Sequence, residues 1–147
     1  MSIIYFAYGS NMDFNRLNDR EISFEFIGLG ILEGYELKFN KIASKKSGVG
    51  YANIVSQKGS KVEGLLFSID NIELLDQFEG FPNHYKKEIL KIHYLGNLID
   101  AIVYVASIKW VSNNLKPERE YLNRLLTAKN FLSTEYLSFL ENSETID

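Results

Sequence analysis

At 147 residues the chain has the size of one domain, residues 1–147, with room for one substantial core. Apolar residues make up 46% and charged residues 24%, as in soluble globular proteins. A net charge of −3, with no basic cluster beyond Lys45-Lys46 and Lys86-Lys87, leaves no footprint for nucleic acid. The absence of cysteine excludes a disulfide framework and a thiol nucleophile, and two histidines are too few for a His/Cys zinc site. No apolar run reaches membrane-spanning length and no basic leader opens the chain. The expectation is a cytoplasmic protein with no membrane or nucleic-acid partner, no metal and no cofactor, as a monomer or homodimer.

An apolar, aromatic run begins at Ile3 and reads as a buried strand that stops at Gly9-Ser10-Asn11. A glycine there lets the backbone turn sharply and lets a ligand approach the peptide groups, whose amides can form an anion-binding concavity. An ordinary strand ending in an ordinary turn fits the same spacing. Residues 23–32 and 35–42 read as strands joined across Glu33-Gly34, and residues 51–57 and 62–69 as a second pair around Lys58-Gly59-Ser60. The polar stretch 41–50 reads as a mobile loop. A helix is expected over about 70–78, capped by Asp70 with Glu73 completing a capping-box-like pair; Leu74, Leu75 and Phe78 form its apolar face and Gly80 ends it. Residues 85–95 and 98–107 enclose Gly96-Asn97, a primed-turn signal. A further helix starts at Pro117 with Tyr121, Leu122, Leu125 and Leu126 on one face, and a last one, capped by Ser133 or Thr134, buries Tyr136, Leu137 and Leu140. Strands first and helices later give an α+β fold around a mainly antiparallel sheet or small barrel.

Two features carry chemical interest. Nine tyrosines are present, and buried ones need partners for their hydroxyls, which places some of them at a polar cavity. Glu79 lies four residues after Leu75, on the same side of the expected helix and at the border of its apolar face. Desolvation there, and the unpaired carbonyls of the helix C-terminus, would both raise its pKa toward values useful for proton transfer. An exposed glutamate before a terminating glycine fits the same spacing.

Taken in order, Tyr8-Gly9-Ser10-Asn11, Gly34-Tyr35-Glu36-Leu37-Lys38-Phe39-Asn40, Val62-Glu63-Gly64-Leu65-Leu66-Phe67 and Leu75-Asp76-Gln77-Phe78-Glu79-Gly80, followed by Tyr85, resemble the γ-glutamylcyclotransferase family, including its AIG2-like and γ-glutamylamine cyclotransferase branches. Each motif is short, but their order and spacing extend the resemblance from Ile3 to about Leu140. It implies a compact β-barrel with flanking helices and a cavity at one barrel end. It also implies that Tyr8, Gly9, Ser10 and Asn11 wrap a γ-glutamyl group, that Glu79 is the general acid/base, and that Tyr85, Tyr104 and Tyr121 line the pocket. The implied enzyme is a cyclising transferase or lyase. The substrate's own α-amine attacks its γ-carbonyl and releases 5-oxoproline with a free amino acid or amine. The implied partner is therefore a small γ-glutamyl amino acid, peptide or amine.

Met12 stands where the family often has leucine, and Gly-Ser-Asn replaces the Gly-Thr-Leu of the γ-glutamylamine branch, which places the chain nearer the γ-glutamyl amino acid or peptide branch. Two rival readings follow from the residues. One is a catalytically silent binder of the same fold, against which Glu79 argues. The other is an esterase with Ser10 as nucleophile, which lacks a Gly-x-Ser-x-Gly elbow and has only His84, expected in a solvated turn, or His93, expected in a strand, as base.

Overall fold

The computed structural model describes residues 2–147. Strands β1 (Ile3–Ala7), β2 (Phe24–Ile42), β3 (Gly50–Ile69), β4 (Tyr85–Tyr94) and β5 (Asn97–Ala106) close into a barrel in the order β1, β3, β2, β4, β5. All neighbours run antiparallel except β1 and β5, which meet in parallel at Tyr5 and Ile102. Helices α1 (Phe14–Asp19), α2 (Ile72–Glu79), α3 (Arg119–Leu126) and α4 (Thr134–Glu141) flank it. This is the α+β, mainly antiparallel barrel that the sequence leads one to expect. The barrel strands carry Phe6, Leu65, Leu66, Phe67, Ile69, Ile92 and Val103, all fully buried, on the two faces of the wall. Each such side chain removed from water stabilises the fold by roughly 1.5–3 kcal/mol. Among the described residues no helix is long and apolar enough to cross a membrane.

The two early hairpins expected at Glu33-Gly34 and Lys58-Gly59-Ser60 do not form. Strands β2 and β3 run unbroken through both places and pair with each other. Glu33 pairs with Lys61 and Tyr35 with Ser56, so Gly34 (φ 84°) and Gly59 (φ 86°) belong to one shared irregularity in a long ladder. Left-handed glycines serve a bulge as well as a turn, and local sequence does not distinguish the two. The chain reverses once, over residues 43–49, between Ile42 and its partner Gly50. The 41–50 loop is accordingly shorter than expected, and Lys41 belongs to β2. The last hairpin exists, but its turn is Leu95-Gly96 (φ 47° and 79°), one residue earlier than expected, with Tyr94 facing Asn97.

A second irregularity in the β2–β3 ladder matters more for function. Lys38 pairs with Asn53, and the next pair is Lys41 with Tyr51. Ala52 is thereby left without a strand partner, and its peptide groups are free to bind side chains.

The helices differ from expectation mainly at their starts. Helix α1 was not anticipated; Asp13 caps it by accepting the Asn15 N–H at 3.1 Å, and Arg124 holds the other Asp13 oxygen at 3.0 Å. Asn71, not Asp70, caps α2 by accepting the Leu74 N–H at 3.1 Å, while Gly80 (φ 66°) ends it as expected. Helix α3 starts at Arg119, two residues past Pro117. Ser133 caps α4, and the buried Glu63 carboxylate accepts both the Ser133 N–H and its hydroxyl. Helix α2 is clamped to the barrel through Asp76, which accepts the Tyr104 hydroxyl at 2.6 Å and pairs with Lys87 at 2.9 Å.

At Gly64, on β3 between β1 and β2, a Cβ would lie 2.5 Å from the Ala7 carbonyl oxygen and 2.7 Å from the Phe6 ring. Gly64→Ala is expected to overpack this seam by about 1–3 kcal/mol. At roughly 2–4 °C per kcal/mol for a domain of this size, thermal denaturation should show a clear fall in Tm. An unchanged Tm would mean that β1 yields without cost.

Candidate active site

Strand β1 leads directly into the loop that carries the first site residues. Gly9 lies at φ −115°, so the backbone there does not need a left-handed residue. Its lack of a side chain matters for space: a Cβ would sit 3.2 Å from both the Ala52 Cβ and the Tyr121 hydroxyl. Ser10–Met12 form a single 3-10 turn, in which the Met12 and Asp13 amides bond the Gly9 and Ser10 carbonyls at 3.0 and 3.1 Å. Among the described residues the Ser10 and Asn11 amides have no acceptor, as expected of the first groups of such a turn.

This loop faces Glu79 across a two-part depression. The outer part, about 410 Å³, is lined by Ser10, Glu79, Tyr85 and Tyr121 together with Arg16, Arg20, Lys41, Tyr51 and His84. An inner recess of about 40 Å³ is walled by Tyr5, Tyr8, Gly9, Ser10, Asn11, Ala52, Tyr104, and again Glu79, Tyr85 and Tyr121. Every residue that the sequence singles out for the site borders one or both parts.

Glu79 is the last residue of α2 and is partly buried, with its carboxylate turned toward the recess. Asn11, 3% exposed, uses one amide group three ways: Nδ2 donates to Glu79 Oε1 and to the Tyr5 hydroxyl, both at 3.1 Å, while Oδ1 accepts from Arg20 Nη1 at 3.0 Å. The guanidinium of Arg20 also lies 4.9 Å from the centre of the Phe78 ring. Burial raises the Glu79 pKa above the ordinary carboxylate value, opposed by the positive charges of Arg20, Arg16 and Lys41 and reinforced by Asp76.

The tyrosines are fixed by their hydroxyls. Ala52, freed from the ladder, donates its N–H to the Tyr121 hydroxyl at 3.0 Å and accepts from the Tyr85 hydroxyl at 2.8 Å. Tyr8 donates to the Tyr104 carbonyl, and the Tyr104 hydroxyl is committed to Asp76. Burial raises the pKa of Tyr5, Tyr8, Tyr85 and Tyr104, and pushes Tyr121 up to about 12. All are neutral at physiological pH. Glu79 is left as the recess's titrating group, and Tyr121, which accepts from Ala52, keeps its own proton free to donate.

Residues 5–123 match the family described as gamma-glutamyl cyclotransferase, AIG2-like. The chain belongs to this family. It is 33% identical to gamma-glutamylcyclotransferases of Homo sapiens and Bos taurus over 84 residues, which cover 54% of this chain and 45% of those proteins. The match thus spans less than half the length of these relatives. A solved gamma-glutamyl cyclotransferase superposes over the whole chain and 90% of its own, with TM-score 0.89 at 25% identity. A human protein solved as uncharacterised superposes with TM-score 0.88 at 28% identity, over 99% of this chain and 90% of its own. YkqA of Bacillus subtilis, at 22% identity, shares the fold with TM-score 0.81 over 98% of this chain and 56% of its own.

Within this family fold, sequence reasoning missed the basic side of the cavity. Arg16 on α1 and Arg20 at its C-terminal cap lie one turn apart, and Asp13 followed by Phe14 and Leu17 was the signal that would have revealed that helix. Lys41 sat in a stretch read as a polar loop, yet is 4% exposed. His84 was expected in a solvated turn. It does lie in a turn, but its Nδ1 is 2.8 Å from Lys41 Nζ and its ring stacks on Trp110 at 4.0 Å. His93 lies in β4 as expected, 3.4 Å from Glu33.

The Glu79 environment has a thermodynamic signature. Its folded pKa lies above its unfolded one, so protonation favours the folded state. That contribution is fully present below the unfolded pKa and is lost as pH rises through the folded one. Glu79→Gln should therefore have a higher Tm than the parent at neutral pH, with the gap closing below about pH 4. A variant that is less stable at neutral pH would mean that the ionised carboxylate stabilises the fold.

Proposed function

We propose that the protein is a γ-glutamylcyclotransferase with Glu79 as its general acid/base. The observation that carries this reading is the shared recess: a carboxylate of raised pKa faces a loop with two unpaired amides, inside a wall of neutral tyrosines. Family membership and the gamma-glutamylcyclotransferase relatives support the same reading.

The chemistry asks the protein for positioning and proton transfer, because the substrate carries both its nucleophile and its electrophile. The γ-glutamyl chain must be folded so that its α-nitrogen approaches the γ-carbonyl carbon. Such positioning supplies up to about 7–11 kcal/mol of a barrier. Glu79 takes a proton from the α-ammonium, and the freed amine attacks to form the ring C–N bond. The tetrahedral oxyanion collapses by breaking the original amide C–N bond. In all, two protons pass from the attacking nitrogen to the leaving nitrogen, and Glu79 carries them in turn. The products are 5-oxoproline and an ammonium-bearing leaving group, with no net uptake of protons. Loop amides at Ser10 and Asn11 and the free Tyr121 proton serve the α-carboxylate and the developing oxyanion. Asn11, whose side chain is fully engaged by Tyr5, Glu79 and Arg20, positions the carboxylate. Tyr8, Tyr85 and Tyr104 shape the recess.

The test is to incubate the protein with γ-glutamyl dipeptides and γ-glutamyl-ε-lysine and to separate 5-oxoproline from glutamate. Release of 5-oxoproline is expected. Glutamate would indicate hydrolysis and sink the proposal, and binding without product would make the protein a silent binder. Glu79→Gln should lower kcat by at least about a hundredfold, the typical contribution of a general acid/base, with ligand binding largely kept. Near-normal turnover of that variant would remove Glu79 from its role.

The pH profile offers an independent check. The base must be ionised, so kcat/KM rises with pH along a limb set by Glu79, displaced above the ordinary carboxylate range. Arg20 is the strongest positive influence holding that pKa down. Arg20→Gln should move the limb to higher pH, and a limb that stays in place would show that the profile reports another group.

A further inference from the structure

The outer cavity gathers three cations, Arg16, Arg20 and Lys41, against the single carboxylate of Glu79. A γ-glutamyl head brings one ammonium, matched by Glu79, and one carboxylate, taken up at the Ser10 and Asn11 amides on the side of the cavity where Arg16 and Arg20 add positive charge. Lys41 is then left over. Lys41 comes from β2 rather than from α1, is 4% exposed as a residue, and forms no ion pair among the described residues. Burying a cation without an anion is costly, and that cost is retained here.

The ammonium is also held in place. Nζ donates to the Ile42 carbonyl at 2.9 Å and to His84 Nδ1 at 2.8 Å. Opposite a charged Lys41, His84 accepts through Nδ1 and carries its own proton on Nε2, and burial together with Lys41 and Lys109 lowers its pKa. Trp110, whose ring centre lies 4.9 Å from Nζ, stacks on His84, and Tyr51 and Tyr85 flank the ammonium at 5.8 and 5.7 Å. Two of its three protons are used and the third remains for a ligand.

We propose that Lys41, oriented by His84, binds a free carboxylate on the leaving group and so selects γ-glutamyl amino acids and peptides over γ-glutamyl alkylamines. This rests on the cyclotransferase reading and adds to it the residue that reads the leaving group. Lys41 is a specificity-determining residue: it contacts the part of the substrate that departs.

The experiment compares γ-glutamylalanine with γ-glutamylethylamide, which differ by one carboxylate. The parent protein is expected to favour γ-glutamylalanine in kcat/KM by about tenfold or more, the scale of one hydrogen-bonded charge contact. In Lys41→Met the ratio of the two kcat/KM values should collapse toward one, chiefly through KM for γ-glutamylalanine, while Lys41→Arg keeps part of it. A ratio near one in the parent protein overturns the proposal. So does a Lys41→Met variant that loses activity on both compounds in equal proportion, which is the mark of a structural role. If neither compound yields 5-oxoproline, the cyclotransferase reading fails on its own, and calorimetric binding of the same two compounds decides the subsite. Tighter binding of γ-glutamylalanine upholds it and equal binding ends it.

Discussion

A carboxylate set at the edge of a recess walled by tyrosines is the constraint around which the site is arranged. Unpaired, the charge of Glu79 would be driven toward the neutral acid. The protein answers with a graded offset: one amide hydrogen bond from Asn11, and positive charge from Arg20, Arg16 and Lys41 at longer range. The Asn11 amide is the key connector, because Arg20 pulls on its oxygen while its nitrogen holds Glu79. A direct Arg–carboxylate pair would have locked the acid in its ionised form. The relay through a neutral amide leaves it able to take and give a proton, as the proposed general acid/base would have to.

The barrel supplies the rigid half of this arrangement through a fault in its own ladder. Where β2 and β3 slip past each other, Ala52 loses its strand partner, and its two peptide groups bind Tyr85 and Tyr121 instead. One unpaired residue thereby ties β3 to α3 and to the start of β4, and sets two walls of the cavity. Gly9 completes the packing, since a Cβ there would sit 3.2 Å from both the Ala52 Cβ and the Tyr121 hydroxyl and force one of them to shift. Helix α2 is fixed separately through Asp76, so the loop is carried by β1 and the carboxylate is anchored to β4 and β5.

Much of the fold was legible in the sequence because strand periodicity and helix punctuation are local signals. The strands, the α2 helix with its terminal Gly80 and the α4 cap at Ser133 all follow from neighbouring residues. The failures came where a local signal had two outcomes. Gly34 and Gly59 adopt the left-handed conformation expected of turns, but they face one another across a continuing ladder, and only the pairing decides between turn and bulge. The residues of the recess were reached through the family resemblance as much as through their chemistry. Lys41 and His84 lay beyond local rules altogether. Lys41 is buried because Tyr51, Tyr85 and Trp110 close around it from other elements, and Trp110, distant in the chain, stacks on His84.

The parallel seam between β1 and β5 has a consequence for the order of assembly. Strand β1 is near the start of the chain, yet its antiparallel partners lie at residues 65–69 and its closing contact at Ile102. During synthesis the first strand must wait, unpaired, until β3 is made, and its closing contact waits for β5. The β2–β3 and β4–β5 hairpins span shorter loops and can form first, since entropy disfavours the distant pairing until they are in place. The recess, which needs the β1 loop, α2 and α3 together, is therefore among the last parts of the molecule to exist. Until β1 docks, the exposed edge of β3 offers unpaired backbone to other chains, so the step that completes the chemistry also removes a route to aggregation.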